Sequence, residues 1–93
     1  DAVKQYIAMI AAASRHHPDL KIGMSPRASI HLMQTAKSLA LLEGREYVIP
    51  QDVKQMCSPV LSHRLSLRAE SAASGQRTEA IIGDLLRSVA IPK

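Results

Sequence analysis

One segment constrains the fold of this chain more than any other: the stretch from Pro26 to Glu43, bracketed by Ser25-Pro26 in front and Gly44 behind. Serine is a favoured N-cap, and proline suits the first helical position, where its missing N–H breaks no bond. Glycine commonly follows a helix end, because the chain there turns left-handed. Between these signals Leu32, Met33, Ala36, Leu39 and Ala40 recur at helical spacing, with Ile30, Leu41 and Leu42 widening the apolar face. A helix apolar around much of its girth needs neighbours on several sides, so this one is expected to be central.

Four further helical segments are expected around it. Val3, Tyr6, Ile7, Ile10 and Ala11 form a stripe over about residues 2–14, stopped by His17-Pro18. "PDLKIGM" reads as a loop. Tyr47 to Ile49 reads as a short extended segment feeding a helix over 50–57, with Pro50 at its first position and Asp52 in its first turn. Ser58-Pro59 is expected to interrupt it, with Val60 and Leu61 in a further turn or two over 59–64. "LSLR" alternates and could pair with Tyr47–Ile49 as a scrap of ribbon, while "AESAASGQ" suggests one loose turn ending at Gly75. The last helix, about 78–89, takes Thr78 as N-cap and buries Ile81, Ile82, Leu85, Leu86 and Val89 before Pro92 ends it. The 93 residues therefore predict one all-α domain, a small helical bundle with at most a tiny two-stranded ribbon.

Composition narrows the function. The hydrophobic fraction of 46% is almost all aliphatic, with two Tyr and no Phe or Trp, which suits helix-on-helix packing. The net charge of +4 comes from twelve scattered Lys and Arg, no two adjacent. Nucleic-acid binding needs clustered cations and, for single strands, stacking aromatics, so that class is not favoured. No apolar run is long enough for a membrane span. The lone Cys57 excludes an internal disulfide and fits a reducing, cytoplasmic setting as a buried inert thiol. His16, His17, His31 and His63 match no metal spacing. There is no nucleophile elbow or Gly-rich phosphate loop, so the chain is not expected to perform a reaction alone. Starting with Asp1 in a helical pattern, it reads as a piece of something longer.

One polar residue is oddly placed. In "GMSPRAS", Ser25 and Pro26 put Arg27 in the first turn of a helix, beside the positive end of the dipole, where acids are favoured. A cation is acceptable there if it is solvated, or if an anion is expected at the same spot.

The stretches "SRHHPDLKIGMSPRA", "LALLEGREYVIPQDV" and "SPVLSHRL" together resemble, in order and spacing, the helical lid that ends the ATPase module of MoxR-family AAA+ proteins. The resemblance covers Val3 to about Pro92. It implies that Arg27, framed by Ser25 and Pro26, is the sensor-2 arginine that reaches the γ-phosphate of ATP. Helix N-terminus and guanidinium would then form one anion site. Arg15, in "SRHHP", is a second candidate for the nucleotide or the domain interface, with a helix-capping or surface role equally open. Arg64 either pairs within the lid or reaches a neighbouring subunit. Two departures from the family pattern stand out, Met24 for a small residue and Ile49 for Thr; the second gives up an N-cap worth roughly 1 kcal/mol.

The resemblance also implies a partner α/β ATPase domain upstream in the same chain, holding ATP and Mg2+, with neighbouring subunits in a hexameric ring. The fragment alone would hold no cofactor and hydrolyse no ATP. Proteins of this kind act like chaperones that assemble or activate complexes, among them partners bearing von Willebrand A domains. The competing reading is a stand-alone basic helical domain that binds DNA or protein. It calls for cations on one helix face, which Arg27, Lys37 and Arg45 do not form.

Overall fold

A computed structural model describes residues 2–92. Seven elements follow in order: α1 (Ala2–Arg15), β1 (Leu20–Ile22), α2 (Pro26–Leu42), α3 (Pro50–Leu61), β2 (Ser66–Leu67), α4 (Ala69–Ala73) and α5 (Thr78–Ser88). The bundle is all-α apart from the antiparallel β1–β2 ribbon. Helix α1 lies against α2, α3 and α5, and α2 packs most extensively on α3.

The core is aliphatic, with Tyr6, Ile10, Leu32, Val53, Leu61 and Ile81 fully buried. Helix α2 contributes Ala28, Leu32, Ala36 and Ala40, spaced four apart on one line. Three alanines on that line let neighbouring helices approach closely while Leu32 fills the space between them. The helix is therefore one-sided rather than central. Ile30, Leu41 and Leu42, expected to widen the buried face, are exposed, and Leu39 is half-buried. The reason is that residues 30 and 41 fall on the side of the helix away from the alanine line.

Helix α2 ends as its glycine predicts. Gly44 has φ +80°, its N–H bonds the Leu41 carbonyl at 3.0 Å, and Arg45 N–H bonds the Ala40 carbonyl at 2.9 Å. These are the paired bonds of a Schellman ending, and they turn the chain back toward α3.

Three expectations are corrected. Helix α3 runs through Pro59 to Leu61 instead of breaking at Ser58-Pro59, so the expected 50–57 and 59–64 helices are one. Pro59 sits on the exposed side with Gln55 four residues before it, where water can take the carbonyl that loses its partner, while Val60 and Leu61 hold the last turn in the core. The ribbon joins β2 to Leu20–Ile22, in what reads as a loop, and not to Tyr47–Ile49. Residues 47–49 lead straight into α3 and are held there by Asp52, whose Oδ2 accepts the Ile49 N–H at 2.9 Å. Finally, Thr78 is the first residue of α5, and Arg77 is the N-cap, with no side-chain capping bond.

Candidate functional site

The region around Arg27 is built from the end of α1 outward. Ser14, buried in the last turn of α1, donates from Oγ to the Ala11 carbonyl at 2.7 Å. The same oxygen accepts the Met24 N–H at 2.8 Å, across ten residues of chain. Gly23 makes this approach possible. A Cβ there would lie 2.7 Å from Ser14 Oγ and 2.8 Å from the Ser14 main chain, which ordinary contacts do not allow. Met24 then turns into the core, so the larger residue at this position serves packing.

A second clamp holds the intervening segment. The Asp19 carbonyl accepts the Arg68 N–H at 2.9 Å. Its carboxylate accepts from Ser71 Oγ at 2.8 Å and from Gln76 Nε2 at 3.3 Å. His17 Nδ1 accepts the Asp19 N–H at 3.1 Å, and its Nε2 lies 3.7 Å from Asp84 on α5. Asp84 also pairs with Arg87. Residues 17–24 are thus pinned to α1, α4 and α5 before the chain enters α2. None of these side-chain clamps was read from the sequence; only the fixed turn-formers His17-Pro18 and Gly23 hinted at them.

On this platform Ser25 caps α2. Its backbone is extended, and its Oγ accepts the Ala28 N–H at 3.1 Å. Pro26 occupies the first position, and Ser29 N–H bonds the Ser25 carbonyl at 3.1 Å. Of the first-turn amides, that leaves the N–H of Arg27 without an acceptor among the described residues. The Arg27 side chain is exposed and likewise forms no hydrogen bond or ion pair among them. No acidic residue occupies the first turn of α2. A free guanidinium, a free amide and the positive end of the dipole therefore share one exposed spot, a donor set that fits a phosphate oxygen.

The Ser14–Met24 bond places the last turn of α1, carrying Arg15, beside this first turn of α2. Arg15 is exposed and the one basic residue in that last turn. Arg64 stands apart, exposed in the turn after α3, its N–H bonded to the Leu61 carbonyl at 2.9 Å.

A separate polar cluster joins α2 to α3. Asp52 is buried, accepts the Ile49 N–H and pairs with Arg45, which also reaches Glu43 at 3.1 Å. Those carboxylates, Asp52 ahead of Glu43, raise the Arg45 pKa above its ordinary value. Cys57 is fully buried, and burial pushes its thiol up to about 12, which makes it unreactive at neutral pH. Among the described residues no group of three His, Cys, Asp or Glu is arranged to hold a metal ion. No helix there is long and apolar enough to cross a membrane.

Comparison with known proteins identifies this architecture. Residues 12–85 match the AAA lid domain family. The chain is 40% identical over 92 residues to the uncharacterized protein YeaC of Bacillus subtilis, covering 99% of the chain and 29% of YeaC. It is 38% identical to the chaperone MoxR1 of Mycobacterium tuberculosis, over 99% of the chain and 27% of that protein. The crystal structure of a candidate ATPase from Cytophaga hutchinsonii superimposes with a TM-score of 0.95 at 33% identity, covering the whole chain and 31% of that structure. The chain thus spans less than a third of each of these relatives.

Proposed function

We propose, from the premise that this chain belongs to the AAA lid domain family and is the lid of a MoxR-type AAA+ ATPase, that it senses the nucleotide held by an adjoining α/β domain of the same protein. In that role Arg27 directs its guanidinium and its backbone N–H at the terminal phosphate of ATP, with Ser25 and Pro26 fixing the helix end that presents them. The observation that carries this reading is the exposed, unpartnered Arg27 at an otherwise capped helix N-terminus.

ATP with Mg2+ would supply the phosphoanhydride and the metal that neutralises its charge. The lid's own contribution is a positioned cation in the α2 first turn, held against drift by the Ser14–Met24 bond and the Asp19 clamp. Such a cation stabilises charge that develops as the phosphoryl group transfers. It also reports whether the last phosphate is present, since the guanidinium loses its partner once that phosphate leaves. The lid could then turn relative to the α/β domain and alter a ring contact, which we take to be hexameric. Arg15, one turn away, is assigned to the same phosphate region or the facing domain, and Arg64 to a neighbouring subunit. We place the protein in the cytoplasm as a chaperone-like factor that assembles or activates other protein complexes, including partners with von Willebrand A domains.

The test is Arg27→Ala in the full-length protein, with ATP affinity and turnover measured separately. Losing one charge-assisted bond weakens affinity by about 1.5–3 kcal/mol, or roughly 10–150-fold. Turnover should fall further, because arginines that meet the transferring phosphate are worth about 10³–10⁵ in rate. Unchanged turnover would return Arg27 to the solvated surface.

A further inference from the structure

The far end of α2 carries a surface that nucleotide sensing does not use. Arg27 and Leu41 are fourteen residues apart, about 21 Å along the helix. There, the start of α1, the second half of α2 and the segment 45–50 enclose a cleft of about 700 Å³, lined by Val3, Met33, Lys37, Leu41, Tyr47 and Val48. Its rim is apolar and open to water, with Leu41 69% and Tyr47 65% exposed. Along α2 the cleft continues as a stripe. Ile30, Gln34, Lys37 and Leu41 stand at i, i+4, i+7 and i+11, on one line, and all four are exposed.

Charge selects among possible occupants. Helix α2 contains no Asp or Glu. The cleft wall holds Lys4, Lys37 and Arg45 against the single carboxylate of Glu46. Arg45 is committed to Asp52 and Glu43, whereas Lys37 makes no ion pair among the described residues. A cation thus sits between Ile30 and Leu41 on the stripe and borders the cleft. A second copy of the chain is a poor fit, since a symmetric contact would set Lys37 against Lys37. A basic segment is repelled for the same reason.

We propose that this cleft and stripe seat an amphipathic helix of another protein, its apolar face on Leu41 and Tyr47 and a carboxylate against Lys37. The span from Ile30 to Leu41, about 16 Å or three turns, matches the contact length of such a helix in a groove. The site lies at the opposite end of α2 from Arg27 and is independent of it.

Isotope-labelled protein is titrated with an 18-residue synthetic amphipathic peptide carrying Leu on one face and Glu along its flanks, and with the same peptide bearing Lys in place of Glu. At low salt the acidic peptide should bind about tenfold or more tightly than the basic one, with amide shifts centred on Leu41 and Tyr47. Lys37→Glu should reverse that order, Leu41→Ala should weaken binding of the acidic peptide, and Arg27→Ala should change neither. Equal affinity for the two peptides, shifts centred elsewhere, or no binding of either at about 1 mM would overturn the proposal. So would self-association of the protein through this face.

Discussion

Ser14 Oγ holds the backbone N–H of Met24 at 2.8 Å, and this bond sets the first turn of α2 against the last turn of α1. Replacing Ser14 with Ala would leave the Met24 N–H in a buried setting without an acceptor. The expected cost is about 1–3 kcal/mol, read as a lower denaturant midpoint. Gly23→Ala should be at least as disruptive, because the added methyl meets Ser14 main-chain atoms at 2.8 Å and not a mobile side-chain tip. A Ser14→Ala protein as stable as the parent would mean that a water replaces the hydroxyl.

Packing on α2 should divide sharply by face. Leu32 is fully buried on the alanine line, whereas Leu42 is 85% exposed. Leu32→Ala is expected to cost about 2–5 kcal/mol, and Leu42→Ala less than about 0.5 kcal/mol. Arg27→Ala should resemble Leu42→Ala in stability, since nothing among the described residues holds its side chain. Thermal denaturation of the three variants, side by side, checks this ordering. A destabilised Arg27→Ala protein would mean that Arg27 has a structural partner.

Asp52 joins two elements through its carboxylate, and Asp52→Ala removes both bonds at once. The buried Ile49 N–H loses its acceptor and the helix loses an acid in its first turn, together about 1–3 kcal/mol. Asp52→Asn keeps the shape and one acceptor, so it should fall between parent and alanine. Chemical denaturation of the pair gives the ranking, and an asparagine variant as weak as alanine would put the weight on charge rather than on the hydrogen bond.

High pH should unfold the protein through two buried groups. Burial pushes the Cys57 thiol from 9.0 to about 12. Burial, and then the nearby Cys57, raises the Tyr6 hydroxyl above its usual 10.0. The unfolded chain releases these protons near their ordinary values while the folded chain keeps them, so the folded state binds more protons above pH 9. Stability therefore falls as pH rises from about 9 toward 12, by at most about 1.4 kcal/mol per pH unit for the thiol, with no slope from either group below pH 8. Denaturation midpoints at pH 7, 9 and 10 test the onset, and Cys57→Ala should flatten it. Tyr6→Phe should be nearly neutral at pH 7, because the Tyr6 hydroxyl is buried without a hydrogen-bond partner among the described residues.

Local signals determined much of this protein before any contact was known. Ser25-Pro26 and Gly44 mark the ends of α2 because capping and left-handed turning are properties of a few neighbouring residues. The aliphatic stripes of α1 and α5, with no Phe or Trp to fill a sheet sandwich, made an all-α bundle the natural outcome. The odd position of Arg27 was legible for the same reason, since the sign of a helix dipole follows from the sequence alone. The tertiary structure decided what depends on distant partners. Apolar residues at Ile30, Leu41 and Leu42 look like core in a one-dimensional pattern, yet only the side bearing Ala28, Leu32, Ala36 and Ala40 meets other helices. Strand β2 chose Leu20–Ile22 over Tyr47–Ile49 because Asp19, fastened to Ser71 and Gln76, brings that segment within reach of Arg68. Pro59 stayed helical because its side of α3 faces water while Val60 and Leu61 are gripped by the core. Each of these outcomes was set by interactions between residues far apart in the chain, whose energies exceed the local preferences that a sequence displays.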